Sequence, residues 1–166
     1  WQVISTDSLA HEILQFDQEV IDQIVNRFGV EIKDNRGNID KTQLADVIFS
    51  NPSERSWLEQ LLHPKVREKW ISSINISSQS NFVVEVPLLF ENDLYSLFTK
   101  TISVHASTNH QFLRLQQRSL SDPEIIARLN SQMSVDEKSN RADFVILGEG
   151  DPQFIVRQIK LFLSLL

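Results

Sequence analysis

Asn81-Phe82-Val83-Val84-Glu85-Val86-Pro87-Leu88-Leu89-Phe90-Glu91-Asn92 is the stretch that decides the fold. Its first half, 82–86, is an apolar, β-branched run without alternation, the pattern of a strand buried on both faces of a parallel sheet. Pro87 ends it, having no backbone N–H to give a ladder. Glu85 sits inside the run, where burying a carboxylate is costly unless it is paired or works near a cation. Ligands of open α/β sheets lie just outside the carboxyl ends of strands, so residues 86–91 are where a substrate is expected.

Working outward, strand-like runs at 1–5, 101–105 and 144–147 alternate with helical patterns, the signature of an α/β protein with a mostly parallel sheet. Val20, Ile21, Ile24, Val25 and Phe28 mark one helix face, which Gly29 can terminate, and Asp40 can cap a helix carrying Leu44, Val47 and Ile48. A turn is expected at Asp34-Asn35-Arg36-Gly37-Asn38. Asn51-Pro52-Ser53-Glu54 and Ser121-Asp122-Pro123-Glu124 are helix starts, and Asp151-Pro152 begins the last helix. Pro64 removes a helical hydrogen bond, so a break is expected at His63, with a fresh helix through Val66, Trp70 and Ile74. Ile76-Ser77-Ser78-Gln79-Ser80 is a low-complexity loop too short to link domains.

A chain of 166 residues with 41% hydrophobic content can build one compact core. It has no cysteine, which excludes disulfides, thiolate metal sites and a cysteine nucleophile, and fits a reducing cytoplasm. No apolar run approaches the roughly 18 residues of a membrane span. The net charge of −6 argues against a nucleic-acid coat, although local cations can still bind one anionic ligand. The chain starts at Trp1 almost inside its first strand, so the amino terminus is expected to be cut, and no signal peptide is visible.

Asp7 follows the first strand and opens a helix. It reads either as a cap or as a carboxylate positioned to take a proton from a substrate hydroxyl, as the base of phosphoryl transfer does. His63 and Arg67, four apart, share one helix side; a helix start there would suit an anion, and the plainer reading is a capping histidine beside a solvated arginine. Arg114 and Arg118 are also four apart, with Arg128 and Arg141 further on. These form either an ordinary charged helix face, interleaved with Asp122, Glu124, Asp136 and Glu137, or a lid whose arginines neutralise a transferring phosphoryl group. The four histidines show no metal-ligand spacing, no residue is assigned to a metal, and no Gly-x-Ser-x-Gly elbow exists.

In this order, Val3-Ile4-Ser5-Thr6-Asp7-Ser8-Leu9-Ala10-His11-Glu12, Trp57-Leu58-Glu59-Gln60-Leu61-Leu62-His63-Pro64-Lys65-Val66-Arg67, Val86-Pro87-Leu88-Leu89-Phe90-Glu91 and Arg114-Leu115 to Arg118 resemble the dephospho-coenzyme A kinase family. Arg128-Leu129-Asn130-Ser131-Gln132-Met133 and Arg141-Ala142-Asp143-Phe144-Val145-Ile146 extend the likeness over nearly the whole chain. The resemblance implies a three-layer P-loop kinase-like α/β fold with a parallel sheet. The helical acceptor-binding region would span about 8–80, and the lid with its flanking helices 108–142. It also implies transfer of the γ-phosphoryl group of ATP, with Mg²⁺, to the ribose 3′-hydroxyl of dephospho-coenzyme A. By that resemblance Asp7 is the base, His63, Arg67, Pro87, Leu88 and Glu91 line the acceptor site, and Arg114, Arg118, Arg128 and Arg141 belong to the nucleotide and lid region.

Three departures from the family pattern stand out. Ser5-Thr6-Asp7 keeps one acid where the family usually has Asp-Ala-Asp. Leu147-Gly148-Glu149-Gly150 replaces an Asn-containing turn near the adenine. No Gly-x-x-x-x-Gly-Lys-Ser/Thr loop occurs, and Gly29, Gly37, Gly148 and Gly150 could not build one. The expectation is an amino-terminally truncated kinase lacking its first central strand and phosphate loop, roughly 20–30 residues, and inactive without them. The alternatives are another small-molecule kinase of the same fold, or a non-catalytic module that binds the coenzyme A precursor.

Overall fold

Two parallel strands, β1 (Gln2–Ser5) and β2 (Phe82–Glu85), pair with Gln2 opposite Phe82 and Ser5 opposite Glu85. Parallel neighbours cannot be joined by a hairpin. Among the described residues between them lie four α-helices, α1 (Thr6–Phe16), α2 (Gln18–Phe28), α3 (Lys41–Ser50) and α4 (Pro52–Ile76). The computed structural model describes residues 1–76 and 80–165, with Phe49 described by its backbone alone. Ser77, Ser78 and Gln79 of the expected low-complexity loop lie outside the described residues. The strand pair and its helices make up the first of two compact units, Trp1–Pro87.

Local chemistry sets the helix ends of this unit. Asp17 accepts from the amide of Val20 at 3.1 Å to start α2, and Gly29, at φ 87°, takes the left-handed turn that ends it. Asp40 accepts from Thr42 and Gln43 at 2.9 and 3.2 Å to cap α3. Asn51 Oδ1 accepts from the amide of Ser53 at 3.0 Å, while Glu54 pairs with Arg27 instead of closing a capping box. Ile13, Leu14, Val20, Ile21, Ile24, Leu44, Leu58, Leu62, Val66 and Trp70 form the buried core.

The break expected at His63 does not occur: α4 is one helix of 25 residues with Pro64 inside it. Leu58, Leu62, Val66 and Trp70 recur every fourth residue across the proline and are all buried. Each such burial contributes about 1.5–3 kcal/mol, against about 3 kcal/mol for a proline in a helix interior. The stripe outweighs the proline. His63 therefore lies in mid-helix, and the helix-start anion site expected there is not formed.

The second unit, Leu88–Leu166, carries β3 (Ile102–His105), α5 (Thr108–Gln116), α6 (Asp122–Asn130), α7 (Val135–Arg141), β4 (Phe144–Leu147) and α8 (Pro152–Leu163). Again the strands are parallel, with Ile102 opposite Phe144 and His105 opposite Leu147. A reciprocal clip aligns their starts: Asp143 Oδ2 accepts from the amide and hydroxyl of Thr101 at 2.8 and 2.9 Å, and Thr101 Oγ1 accepts from the Asp143 amide at 3.1 Å. Ser121 and Glu124 form the expected capping box of α6, and Asp151 caps α8. On β4, the Gln158 side chain bonds both the amide and the carbonyl of Leu147, taking the place of a strand neighbour.

Among the described residues each sheet has two strands. The expectation that 82–86 is buried on both faces fails, because Val83 is 43% exposed, with Val3 at 75% and Val104 at 62% on their own strands. Glu85 is exposed as well, so its carboxylate has none of the burial that the sequence suggested.

Two outcomes are expected in urea titrations. Pro64→Ala raises stability by about 1–3 kcal/mol, because an interior proline gives way to the best helix former in a helix that is already continuous. The Asp143 carboxyl is held below the ordinary 3.8 by the Thr101 amide, the Thr101 hydroxyl and Lys100. A depressed folded value adds stability that is complete above the unfolded value and lost as pH falls through the folded one. Asp143→Asn should therefore flatten the fall in stability below pH about 4; an unchanged acid limb would mean that the clip does not titrate.

Candidate active site

At the carboxyl ends of β1 and β2, the buried Thr6 donates its hydroxyl to the carbonyl of Glu85 at 3.0 Å. That bond ties the start of α1 to the end of the neighbouring strand. Asp7 comes next, in the first turn of α1, where an acid also suits the helix dipole. It is not a cap. Ser5 occupies the capping position, and the Asp7 carboxylate is exposed with no hydrogen bond or ion pair among the described residues.

The charged side chains of α4 sort into two kinds. Lys65 reaches Asp17 at 3.0 Å and Glu19 at 2.7 Å, and Lys69 reaches Glu12 at 2.7 Å. These pairs also show that α1 and α4 run antiparallel. His63 and Arg67 are exposed, one turn apart, and without partners among the described residues. At about 100° per residue they lie across the buried stripe from the two lysines. The structure thus brings His63 and Arg67 to one side of α4, while Asp7 stands at the start of α1.

Pro87 closes the first unit and Leu88 opens the second, one exposed and one half-buried. The turn that follows is tight, with Leu94 donating to the Leu89 carbonyl at 3.0 Å and both Asn92 nitrogens donating to the Leu88 carbonyl. Phe90 is buried and stacks on Tyr95 at 6.0 Å. Glu91, expected in the acceptor wall, makes its contacts within its own unit. Its carboxylate is turned inward, 2.8 Å from Lys138 Nζ, and accepts from the Met133 amide at 3.0 Å. Burial pushes this carboxyl up, but Lys138 and the backbone amides outweigh burial and hold it below the ordinary value.

The four expected lid arginines also divide. Arg114 donates to the Gly148 carbonyl at 2.6 Å, which fastens α5 to the turn after β4. Arg141 pairs with Glu137 at 2.6 Å, one turn back on α7. Arg118, in the reversal between α5 and α6, and Arg128, in the last turn of α6, are exposed and unpaired among the described residues.

Sequence reasoning missed a knot at the carboxyl ends of β3 and β4. Glu149 accepts from the Ser107 amide and lies 3.2 Å from His110 Nδ1, which is 2.9 Å from Ser107 Oγ. The Ser107 amide and hydroxyl, with His110 and His105 when protonated, outweigh desolvation and hold the Glu149 carboxyl below its ordinary value. Ser107-x-x-His110 has the spacing of a capping box, the one local signal that could have pointed to it.

Because Arg114 is engaged and Arg118 is not, their truncations should part. Arg114→Ala is expected to lower stability by about 1 kcal/mol, and Arg118→Ala to stay within about 0.5 kcal/mol of the parent. Urea midpoints decide this, and equal losses would overturn the division.

Comparisons with known proteins identify the family to which this chain is related. Residues 1–153 match the model of the dephospho-CoA kinase family. The dephospho-CoA kinase of Leptospira interrogans is 31% identical over 165 residues, covering 98% of this chain and 80% of that protein. That of Trichormus variabilis is 32% identical over 163 residues, covering 98% and 83%. Among solved structures, the dephospho-CoA kinase from Campylobacter jejuni superposes with a TM-score of 0.71 at 29% identity, covering 99% of this chain and 85% of that one. TT1252 from Thermus thermophilus gives 0.77 at 28%, covering 100% and 85%. With its parallel strand pairs, intervening helices and matched motifs, the chain belongs to the dephospho-CoA kinase family, ATP-dependent transferases of coenzyme A synthesis.

Proposed function

We propose that Asp7 is the general base of phosphoryl transfer to the 3′-hydroxyl of dephospho-coenzyme A, and that His63, Arg67, Pro87 and Leu88 bind this acceptor. The observation that carries the reading is the free carboxylate of Asp7 at the carboxyl end of a parallel strand, anchored by the Thr6–Glu85 bond yet unpaired. By contrast, Glu12 and Asp17 are paired with Lys69 and Lys65 of α4. Asp7 takes the hydroxyl proton as the ribose oxygen bonds to the γ-phosphorus, and the bond to the bridging oxygen breaks to release ADP.

His63 and Arg67 supply positive charge and donors for the anionic part of the acceptor, and Pro87 and Leu88 an apolar surface. Arg118 and Arg128 neutralise the charge that spreads over the transferring group; their lack of partners supports this. Arg114 and Arg141 hold the lid's own structure. Among the described residues no group of three or more His, Asp or Glu side chains is placed to hold a metal ion. Mg²⁺, where it accompanies the nucleotide, would be held mainly by the nucleotide phosphates and would neutralise their charge.

No helix among the described residues is long and apolar enough to cross a membrane. A cytoplasmic site of action is part of the proposal.

Release of ADP from the protein as its gene encodes it, measured with dephospho-coenzyme A and with nucleoside monophosphates, tests the assignment. Preference for a nucleoside monophosphate would overturn it. Asp7→Ala should lower kcat by about 10²–10⁴-fold and leave the acceptor KM within about twofold; parental turnover removes Asp7 as base. Arg118→Ala should lower kcat chiefly, and an unchanged rate returns it to a solvated helix residue.

A further inference from the structure

Three segments of the second unit meet on one oxygen atom. Glu91 Oε1 accepts from the Met133 amide at 3.0 Å and lies 2.8 Å from Lys138 Nζ, with the two side chains 19% and 16% exposed. Lys138 Nζ also reaches Gln132 Oε1 at 3.4 Å. Glu91 Oε2 is buried and has no hydrogen-bond partner among the described residues, so the carboxylate's hold rests on Oε1. A part-buried charge in this position is held by its counter-charge, and removing either partner leaves the other without it.

What Oε1 holds is the connection between α6 and α7. Arg128 lies in the last turn of α6, and the helix end runs straight into this connection. The Ser131 amide donates to the Ala127 carbonyl at 3.1 Å, and its hydroxyl to the Arg128 carbonyl at 2.9 Å. Ser134 then caps α7, accepting from Glu137 at 3.2 Å. With both flanking turns closed, little slack remains between Arg128 and Met133. Fixing the Met133 amide fixes the end of α6.

We propose that Glu91 is a positioning residue of the lid, holding the Met133 amide and the Lys138 ammonium so that Arg128 keeps one place. It acts through Arg128 and does not bind the acceptor. This rests on the phosphate role given to Arg128 above.

The test measures kcat, acceptor KM and exchange of the Met133 amide in the protein as its gene encodes it. The variants are Glu91→Ala, Glu91→Gln, Lys138→Met and Arg128→Ala, with Glu91→Ala also made in the Arg128→Ala background. Glu91→Ala should speed Met133 exchange and lower kcat, each about tenfold, with acceptor KM within about twofold. Glu91→Gln, whose amide oxygen still accepts, should recover much of the exchange protection, and Lys138→Met should lower kcat in the same direction. In the Arg128→Ala background, Glu91→Ala should add nothing to the loss of kcat. Unchanged Met133 exchange in Glu91→Ala overturns the latch. A rise in acceptor KM at constant kcat makes Glu91 an acceptor ligand instead, and a full further loss in the Arg128→Ala background shows that it acts elsewhere. Parental kcat in Arg128→Ala alone sinks the phosphate role of Arg128, an outcome that the exchange measurement does not share.

Discussion

The hydrogen bond from Thr6 Oγ1 to the Glu85 carbonyl is the constraint on which the first unit turns. The parallel ladder brings Ser5 opposite Glu85 but leaves the next residues free to wander. Because Thr6 is buried and its donor is satisfied at the end of β2, α1 must leave the sheet at one point and in one direction. Asp7 is then set by the helix geometry. The lysine pairs on α4 mark the register in which the two helices pack: Glu12 with Lys69 and Asp17 with Lys65.

That register explains why the Pro64 rule failed. A proline read locally breaks a helix, yet four buried side chains at regular spacing lie across it, and their packing outweighs one lost bond and one steric clash. Continuity also bears on the acceptor site proposed above. His63 and Arg67 lie on either side of the proline in sequence but on one helix, so their relative placement is rigid where a hinge would have loosened it.

Legibility in the sequence followed the range of the interaction. The strand runs were readable, as were Gly29, Asp40, Ser121 and Asp151 at helix ends, because each signal lies within a few residues of its effect. Asp7 and the lid arginines were found as candidates, yet which arginines were free was not, since the Gly148 carbonyl that engages Arg114 is 34 residues away. The contacts of Glu91 were hidden for the same reason: its partner amide at Met133 lies 42 residues on, and no local period encodes that meeting. Val83 and Glu85 failed differently. An apolar run without alternation says that a strand can be covered on both faces, but whether it is depends on neighbours that the run does not contain.

The division between engaged and free cations carries its own physical logic. A chain with a formal charge of −6 has carboxylates enough to pair its arginines. Arg141 is paired, while Arg118 and Arg128 are left in water. An exposed pair adds little stability, because screening and side-chain entropy offset the Coulomb gain. Leaving two arginines unpaired therefore costs the fold almost nothing. Pairing them would matter at the moment of binding, since each ion pair would have to be broken before a phosphate could take its place. The fold therefore makes no demand on these two side chains, which leaves them available for the phosphate-neutralising role proposed above.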